Sequence, residues 1–455
     1  MGLSTIVLAA GQGTRMRSDL PKVLQPLAGR PLLAHVLDCA AALAADDVCV
    51  VYGHGGDTVR DAFPEAALRW ALQAEQLGTG HAVQQAMPET PDANRVLILF
   101  GDVPLLTAGT CRRLIDATPG NDVAVLTVDM EDPAGYGRII RDGASVTRIV
   151  EEKDASPDEK TIREINTGVL VCSAHKLKRW LDNLGNDNAQ GEYYLTDVIA
   201  MAVAEGVTVH GVKAETWIEV MGINDKKQLA EAERALQARL VDELMKQGVG
   251  FADPARVDIR GSLRCGKDVF IDVNAVFEGD VELGDGVTIE SNNLIRDSRI
   301  GAGTVVHSNC HIEGGTTGRD CEIGPFARMR PGAELANNVK IGNFVEVKMS
   351  TIADGSKVNH LTYIGNTEIG SLVNVGAGTI TCNYDGANKH KTTIGDGAFI
   401  GSGVMLVAPV KVGPGSTIGA GSTISRDVPA DQLVVERSRQ KTVPGWERPK
   451  KKEGK

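Results

Sequence analysis

The spacing of hydrophobic residues changes character twice along the chain, and this predicts three regions. In the first, up to about residue 223, short apolar runs alternate with segments of helical periodicity. Such alternation is typical of an α/β fold with a largely parallel sheet, where ligands usually bind at the ends of strands. The predicted strands are 5–10, 48–53, 96–102 and 123–128, and the predicted helices are 31–45, 79–87 and 107–117.

The second region, residues 224–247, predicts one long amphipathic helix that begins at Asn224 or Asp225. We interpret it as the link between two domains. The predicted bounds are 1–226 for the first domain, 227–250 for the linker helix and 251–455 for the second domain. The apolar face of the linker helix is predicted from the spacing of Leu229, Leu236, Leu240 and Leu244.

In the third region an aliphatic residue recurs every six positions, which is the repeat of a hexapeptide parallel β-helix and not a multiple of the helical period. Residues 257–426 would form roughly nine coils of three hexapeptides. The stretch 379–393 lacks the repeat, so we expect TCNYDGANKHK, residues 381–391, to be an extruded loop. The predicted inward residues are Val257, Leu263, Val269, Ala275, Val281, Val287, Ile323, Met329, Leu335, Ile341, Val347, Ile352, Val358, Ile364, Ile394, Ile400, Leu406, Val412, Ile418 and Ile424.

Composition narrows the classes of function. The formal charge of -11 argues against a general nucleic-acid binder, although local clusters of Lys and Arg can still bind small anions. The eight cysteines form no C-x-x-C pair, which favours reduced thiols in the cytoplasm over a zinc site or a disulfide framework. The first apolar run is too short for a signal peptide or a membrane span. The final residues, RPKKKEGK, predict a solvated basic tail.

A glycine-rich turn, LAAGQGTRMRSDLPKVL, follows the first predicted strand. Gly11 and Gly13 let the backbone approach phosphate oxygens, and Arg15 and Lys22 bring two cations to the same place. The turn lacks the third glycine of a dinucleotide fingerprint and the GK[ST] ending of a P-loop. Further along, Asp102 ends a predicted strand, where a carboxylate either ligates Mg²⁺ or forms a turn.

These motifs resemble those of sugar-phosphate nucleotidyltransferases, whose first domain is Rossmann-like. The turn matches G-x-G-T-R-M followed by P-K, and QAEQLGTGHA (73–82) matches the segment that holds a uracil base. The family commonly has Tyr where this chain has Phe100, so a hydrogen bond from that hydroxyl is lost here. Further motifs that match are YGRI (136–139), EEKD (151–154), EINTGV (164–169) and EVMGIND (219–225).

The resemblance implies roles for residues of the first domain. Arg15 and Lys22 would neutralise charge in the transition state, and Asp102 and Asn224 would bind Mg²⁺. The remaining implied contacts, to the nucleotide and to the sugar phosphate, are Leu8, Ala9, Ala10, Gly11, Gln73, Gly78, Thr79, Phe100, Gly101, Gly137, Glu151 and Asn166.

Segments that stand out from the plain repeat resemble the acetyltransferase half of the bifunctional N-acetylglucosamine-1-phosphate uridyltransferase/glucosamine-1-phosphate acetyltransferase family. They are RMRPGAEL (328–335), NFVEVKMS (343–350), KVNHLTYIGN (357–366), LVNVGAGTITCNYDG (372–386) and SRQKTVPGW (438–446). With the N-terminal motifs, the resemblance covers nearly the whole chain. It implies a left-handed β-helix, a homotrimer, acetyl-CoA as co-substrate, and a product that feeds peptidoglycan and lipopolysaccharide precursor synthesis.

The same resemblance implies two sets of contacts in the β-helix. The implied sugar-phosphate contacts are Arg330, Lys348, Tyr363, Asn374 and Lys389, and the implied acetyl-CoA contacts are Ala377, Asn383, Tyr384, Ser402, Ala420 and Arg437.

Acetyl transfer from a thioester to a sugar amine needs an unprotonated amine, and His360 suits the removal of its proton near neutral pH. Cys382 raises another possibility, an acetyl-cysteine intermediate. No His or cation adjoins Cys382 in sequence to lower its pKa, although His390 could come near in space. We therefore favour direct transfer in a ternary complex.

Two alternatives stay open at this point. The β-helix could be a regulatory or oligomerisation module beside a single nucleotidyltransferase activity, as in ADP-glucose pyrophosphorylase-like proteins, or the solenoid could be purely structural. A regulatory module has no need of His360, Lys348 or the NYDGANK loop, and a structural one leaves the N-terminal motifs unexplained. We expect one cytoplasmic enzyme with two activities on small molecules, without a nucleic-acid partner or a membrane span.

Overall fold

A computed structural model describes residues 2–53, 55–64 and 67–449, so most of the predicted basic tail lies outside the described residues. The chain divides into two compact units between Arg239 and Leu240. This division falls inside the linker helix, Lys226–Lys246, whose existence the leucine spacing predicted. Asp225 caps the helix, because its Oδ1 accepts a hydrogen bond from the backbone N–H of Gln228 at 2.9 Å.

The first unit contains a twisted sheet in the order β11-β7-β10-β6-β1-β4-β5, with β8 paired to β10 and to β9. Its strands are β1 Leu3–Leu8, β2 Pro26–Leu27, β3 Arg30–Pro31, β4 Asp47–Tyr52, β5 Arg69–Leu72, β6 Arg95–Phe100, β7 Val123–Asp129, β8 Arg138–Asp142, β9 Ser145–Val150, β10 Glu164–Ser173 and β11 Val209–Lys213. Its helices are α1 Leu32–Ala42, α2 Gly56–Asp61, α3 Thr79–Ala86, α4 Ala108–Asp116, α5 Ala174–Leu181 and α6 Asp197–Ala204. The α/β fold is confirmed.

Successive residues of the central strands point to opposite faces of this sheet, and on both faces they are buried. Ile6 and Ile98 pack with α3, α5 and α6 on one face, and Val7 and Leu97 pack with α1 and α4 on the other. The pairings among β5, β4, β1 and β6 and between β7 and β11 are parallel, whereas β10 runs antiparallel to β6, β7 and β8, and β8 runs antiparallel to β9. A bulge between Asn166 and Leu170 interrupts that strand where it pairs with β7.

The second unit consists of coils whose strands form three parallel ladders, as expected of a left-handed β-helix. One ladder contains Gly250–Phe251, Phe270–Ile271, Thr288–Ile289, Val305–Val306, Glu322–Ile323, Lys340–Asn343, Lys357–His360, Asn374–Val375, Phe399–Ile400, Thr417–Ile418 and Leu433–Val434. The other two ladders share the long strands Val257–Cys265 and Ala275–Leu283, and they continue with Leu294–Arg296, Arg299–Ile300, His311–Glu313, Gly315–Thr317, Arg328–Met329, Ala333–Leu335, Glu346–Lys348, Ser350–Ile352, Tyr363–Gly365, Thr367–Ile369, Ile380–Cys382, Thr392–Ile394, Met405–Val407, Val410–Val412 and Thr423–Ile424.

The six-residue repeat identifies the core of this solenoid. Every predicted inward residue is buried except Leu263, which is half-buried. Within the described residues the first ladder has 11 strands. Nine of them lie within residues 257–426, in agreement with the predicted number of roughly nine coils, and the other two, at 250–251 and 433–434, lie outside that range.

The predicted loop begins too early. Ile380–Cys382 is a strand in phase with the solenoid, and Thr381 is fully buried where the repeat has an aliphatic residue. Thr381 satisfies its hydroxyl by accepting from the backbone N–H of Gly365 at 2.8 Å. Ile380 pairs with Met405, 25 positions on, whereas Met405 pairs with Thr423, 18 positions on. The extra residues form the insertion loop, which we define as residues 383–391.

Along the described part of the chain, none of the helices combines the length and the hydropathy that crossing a membrane requires.

Candidate functional site

The first unit has a cleft of about 270 Å³ at the carboxyl ends of β1 and β6. Parallel strands commonly bind ligands at this edge. The predicted residues that line it are Leu8, Ala9, Ala10, Gly11, Lys22, Gln73, Gly78, Thr79, Phe100 and Asp102. Sequence reasoning missed the lining residues Val23, Gln76, Ala82 and Glu192.

The glycine-rich turn shapes the floor of the cleft. Gly13 has φ 64° and begins a short 3₁₀ turn, and a Cβ added there would lie 2.6 Å from the Cβ of Lys22. Gly13 is therefore needed for Lys22 to pack against the turn. Among the described residues, nothing lies within 4 Å of the Cβ position at Gly11, which leaves that backbone open to an approaching ligand. Arg15 is exposed, and it is not one of the residues that line the cleft.

The two predicted metal ligands converge on one cationic atom. Lys22 Nζ forms an ion pair with Asp102, and it donates to Asn224 Oδ1 at 3.2 Å. Asp102 follows β6 and Asn224 immediately precedes the linker helix, so the fold brings together residues far apart in sequence. Among the described residues, no cluster of three His, Cys, Asp or Glu side chains could hold a metal. One carboxylate with one amide oxygen still fits Mg²⁺, which keeps several waters and binds substrate phosphates.

The segment that resembles a uracil-binding element is fixed by backbone contacts. The buried Gln73 side chain donates to the carbonyl of Gly78 at 3.1 Å. Gly78 has φ 110°, and a Cβ there would come within 2.7 Å of the carbonyl oxygen of Tyr193. The unpredicted Gln76 donates to the carbonyl of Ala10 at 2.6 Å and so ties this segment to the glycine-rich turn.

The three predicted sugar contacts lie together. The N–H of Asn166 donates to the carbonyl of Gly137 at 2.8 Å, and a Cβ at Gly137 would lie 3.4 Å from Glu151 Oε2. Burial raises the pKa of Glu151, although Thr196 Oγ1 donates to its carboxylate at 3.0 Å. This group combines a carboxylate and an amide, which are able to form hydrogen bonds with hydroxyl groups.

Phe100, the departure from the family pattern, forms a wall of the cleft. Its ring covers Gly168, where a Cβ would lie 2.5 Å from the ring, and Gly168 also has φ 86°. Gly101 follows Phe100 in the chain, and its N–H donates to the carbonyl of Leu8 at 2.9 Å.

In the second unit, predicted acetyl-transfer residues stack on successive coils. We call Asn343, His360, Ala377, Ser402 and Ala420 the corner column. Asn343 pairs with His360 in the ladder. Above them, the residue that follows each member of the column donates its N–H to the carbonyl of the member one coil below: Gly378 to His360 at 3.3 Å, Gly403 to Ala377 at 2.7 Å and Gly421 to Ser402 at 2.8 Å. Arg437 donates to the carbonyl of Ala420 at 2.8 Å.

The hydrogen bond to Asn343 selects one tautomer of the His360 ring. His360 Nδ1 lies 2.9 Å from Asn343 Oδ1. Because an amide oxygen only accepts, Nδ1 carries the hydrogen and Nε2 presents its lone pair when the ring is neutral. The exposed His360 ring can therefore accept a proton at Nε2. Sequence reasoning missed Asn343, although it opens one of the quoted motifs.

A ladder of charges on the solenoid ends at the predicted phosphate clamp. Arg260, Glu278, Arg296 and Glu313 alternate in sign on successive coils and pair with one another. The same register continues to Arg330 and then to Lys348, a second cation where the alternation would place a carboxylate.

Lys389 of the insertion loop brings a third cation to this place. It lowers the pKa of Lys348, and Arg330 adds to the effect. Of these three cations, only Arg330 has an ion pair with a carboxylate among the described residues, to Glu346 Oε1 at 2.8 Å. Clustered cations of this kind bind anions.

The remaining predicted residues surround this clamp. A Cβ at Gly365 would meet Tyr363 Oη at 2.4 Å and Asn383 Nδ2 at 2.7 Å, so both side chains cover Gly365. Asn383 is buried and donates to Asn366 Oδ1 at 2.8 Å. Asn374 lies in the ladder three residues before Ala377. Tyr384 is exposed at the base of the insertion loop.

Cys382 is half-buried and burial raises the pKa of its thiol. His390, which could have activated it, instead contacts Asp385 at 2.7 Å. Both observations disfavour a thiolate nucleophile and agree with direct transfer.

Comparison with known proteins identifies both units. Residues 5–188 match the family model of the MobA-like NTP transferase domain, and residues 391–426 match that of the bacterial transferase hexapeptide. Three curated relatives, each described as bifunctional protein GlmU, match nearly the whole chain. They come from Aromatoleum aromaticum (60% identical), Azoarcus sp. (57%) and Herminiimonas arsenicoxydans (55%), and each match covers 99% of this chain and at least 99% of the relative.

The fold and the sites define a nucleotidyltransferase joined to a hexapeptide-repeat acyltransferase in one chain. More particularly, the chain belongs to the family of the bifunctional GlmU proteins. It is a bifunctional enzyme that acetylates glucosamine 1-phosphate from acetyl-CoA and transfers a uridylyl group from UTP to N-acetylglucosamine 1-phosphate, with release of pyrophosphate. It is metal-dependent and makes a precursor for the cell wall.

Proposed function

We propose that His360 is the general base of acetyl transfer. The amine nitrogen of glucosamine 1-phosphate attacks the thioester carbonyl, the carbon–sulfur bond breaks, and the amine proton passes to Nε2 of His360. From there it can neutralise the departing thiolate of coenzyme A. The single observation that supports this role best is the hydrogen bond from Nδ1 to Asn343, which leaves Nε2 as the acceptor.

We assign the sugar phosphate to Arg330, Lys348 and Lys389, because like charges held this close favour an anion between them. Tyr363 and Asn374 would contact the sugar. The coenzyme would follow the corner column upward from His360, along Ala377, Ser402, Ala420 and Arg437, with Asn383 and Tyr384 of the insertion loop beside it.

In the first unit we propose Mg²⁺ held by Asp102 and Asn224, whose oxygens already converge on a cation. When bound, this ion would supply positive charge to the triphosphate. The chain's own residues orient the reactants. Lys22 and Arg15 offset charge on the transferring and leaving groups, the turn around Gly11 admits phosphate oxygens, and Gly137, Glu151 and Asn166 hold the sugar.

One experiment tests the assignment of the metal and the preference for UTP, and it follows both activities on the same sample. Thiol release from acetyl-CoA with glucosamine 1-phosphate, and pyrophosphate release from each of the four nucleoside triphosphates with N-acetylglucosamine 1-phosphate, are measured before and after chelation. We expect UTP to be preferred, and Mg²⁺ to restore uridylyl transfer in the chelated enzyme. Acetyl transfer should survive chelation, and its loss would contradict the metal assignment.

We also propose a cytoplasmic homotrimer. Phe326, Phe344 and Leu361 form an exposed apolar ridge beside the corner column, with half or more of each side chain exposed. All three have positive φ, a strained conformation for large side chains, and the two rings stack at 5.3 Å. Exposed apolar ridges commonly mark self-association. Sedimentation of the protein and of Phe344→Lys tests this: a fully active monomer would contradict it.

A further inference from the structure

The insertion loop closes on itself as a small hairpin. Tyr384 and Lys389 form an antiparallel bridge, and the N–H of His390 donates to the carbonyl of Asn383 at 2.8 Å. At the tip, Asp385 Oδ1 accepts from the N–H groups of Ala387 and Asn388 at 2.8 and 2.6 Å. The loop therefore carries its own framework of hydrogen bonds and displays Lys389 on one of its two arms.

One side-chain contact joins the tip of this hairpin to its returning arm. His390 Nε2 contacts Asp385 Oδ2 at 2.7 Å, and the other oxygen of Asp385 is already engaged by the backbone. We call these two residues the clasp. His390 directly follows Lys389, so the clasp fixes the backbone on which the Lys389 ammonium is carried.

The Lys389 ammonium is held at a place where neighbouring positive charges repel it. Lys389 lies against Lys348, and Arg330 adds further positive charge. Two ammonium groups on flexible side chains would separate if the loop were free to move, because nothing in their mutual interaction favours the approach. The hairpin must therefore supply the free energy that keeps the cations together before an anion arrives.

We propose that Asp385 and His390 are positioning residues for acetyl transfer, which act by holding Lys389 at the phosphate clamp. This inference rests on the proposed function of that clamp. The clasp touches neither reacting atom, so it governs binding of the sugar phosphate and leaves the transfer step to His360. Organising the clamp in advance removes a cost that each binding event would otherwise carry.

The test compares clasp variants with a matched control on one full-length chain. His390→Leu removes the donor, His390→Gln restores an N–H donor, and Asp385→Asn keeps the backbone acceptor while removing the charge. Glu368→Gln is the control, because it breaks an ion pair between the solenoid and Lys391 of the same loop without touching the clasp. Uridylyl transfer by the same molecules reports on the folding of the first unit, and kcat of acetyl transfer at saturation reports on the folding of the second.

We expect His390→Leu and Asp385→Asn to raise KM for glucosamine 1-phosphate about tenfold, as for the loss of one hydrogen bond to a charged group. The kcat at saturation should stay within about twofold, because the reacting groups are unchanged. His390→Gln should recover most of the loss, and Glu368→Gln should behave as the parent. In a Lys389→Met background the clasp substitutions should add nothing.

Failure of the inference is distinguishable from failure of the proposed clamp. If Lys389→Met raises KM for the sugar phosphate and the clasp variants do not, the inference is wrong and the clamp stands. If Lys389→Met also leaves KM unchanged, the clamp itself is wrong. A rise in KM for acetyl-CoA alone would assign the hairpin to the coenzyme, through Tyr384, and would overturn the inference.

Discussion

The cationic side chains of the two sites have opposite electrostatic surroundings. In the first unit Lys22 forms an ion pair with Asp102 and donates a hydrogen bond to Asn224, the two residues that we assign to the metal. In the second unit Lys348 faces Lys389, and a row of alternating charges ends just where an anion is needed. One site is electrostatically satisfied without ligands, whereas the other is not.

The architecture explains this difference. The cleft is built from turns at strand ends, whose side chains can exchange partners when substrates and a metal arrive. The corner column and the clamp are built on coils at fixed register, and a rigid ladder can hold like charges together. We infer that the solenoid suits binding of one anion, whereas the cleft suits a reaction in which charges must be redistributed.

The largest expected effect separates the two activities completely. His360→Ala should reduce kcat of acetyl transfer by about 10²–10⁴-fold, because no group remains to take the amine proton at that point. Uridylyl transfer on the same chain should be unchanged. Parallel thiol-release and pyrophosphate-release assays measure both, and substantial residual acetylation at neutral pH would contradict the assignment of His360.

The reciprocal substitution lies in the cleft. Asp102→Ala should lower kcat of uridylyl transfer by about 10²–10³-fold, the scale on which loss of one transition-state stabilising group acts. Acetyl transfer should be retained. Asp116→Ala, at the end of α4, is a matched control, because it removes a carboxylate of the same unit outside the cleft. If added Mg²⁺ at high concentration does not change the residual rate, the defect is not in metal binding.

Much of the fold could be predicted from the sequence because both periodicities are physical constraints. The six-residue repeat located 19 of 20 chosen residues in the solenoid core. The direction of β10 could not be predicted, since a buried apolar run is the same in parallel and antiparallel strands. The start of the insertion loop was misplaced because Thr381 occupies an inward position with its hydroxyl hydrogen-bonded.

The motifs indicated where the site lies, but they did not indicate the contacts of every residue within them or the residues that reach the site from elsewhere. Asn343 lies 17 residues before His360, and its role depends on the length of one coil, which no single residue reports. Gln76 and Glu192 reach the cleft through the folding of separate segments. Resemblance therefore supplied the candidate residues, and the register of the fold supplied the neighbours that we propose to orient them.

A smaller effect should follow from Asn343, because it acts through His360. Asn343→Ala should lower kcat of acetyl transfer about tenfold, since Nδ1–H loses the partner that fixes the tautomer. Asn343→Asp keeps an acceptor and adds a negative charge, which should raise the pKa of His360. The acidic limb of the pH profile of kcat/KM should then move to higher pH. A loss in Asn343→Asp equal to that in Asn343→Ala, without movement of the limb, would indicate a structural role only.

The smallest effect concerns the unsatisfied cations. Because Lys389 and Arg330 lower the pKa of Lys348, that ammonium loses its proton at a lower pH than an isolated lysine. The KM for glucosamine 1-phosphate should therefore climb as the pH rises through the lowered pKa. Lys389→Met removes the main cause, so KM should be higher near neutrality but its climb should begin at higher pH.

Lys391→Met, which changes a lysine of the same loop paired with Glu368, controls for the loss of charge. Titration of the substrate amine is common to all three enzymes and cancels in the comparison. Identical pH dependence in Lys389→Met and the parent would mean that the like-charge contact does not govern phosphate binding, and the contrast between the two sites would then be one of architecture alone.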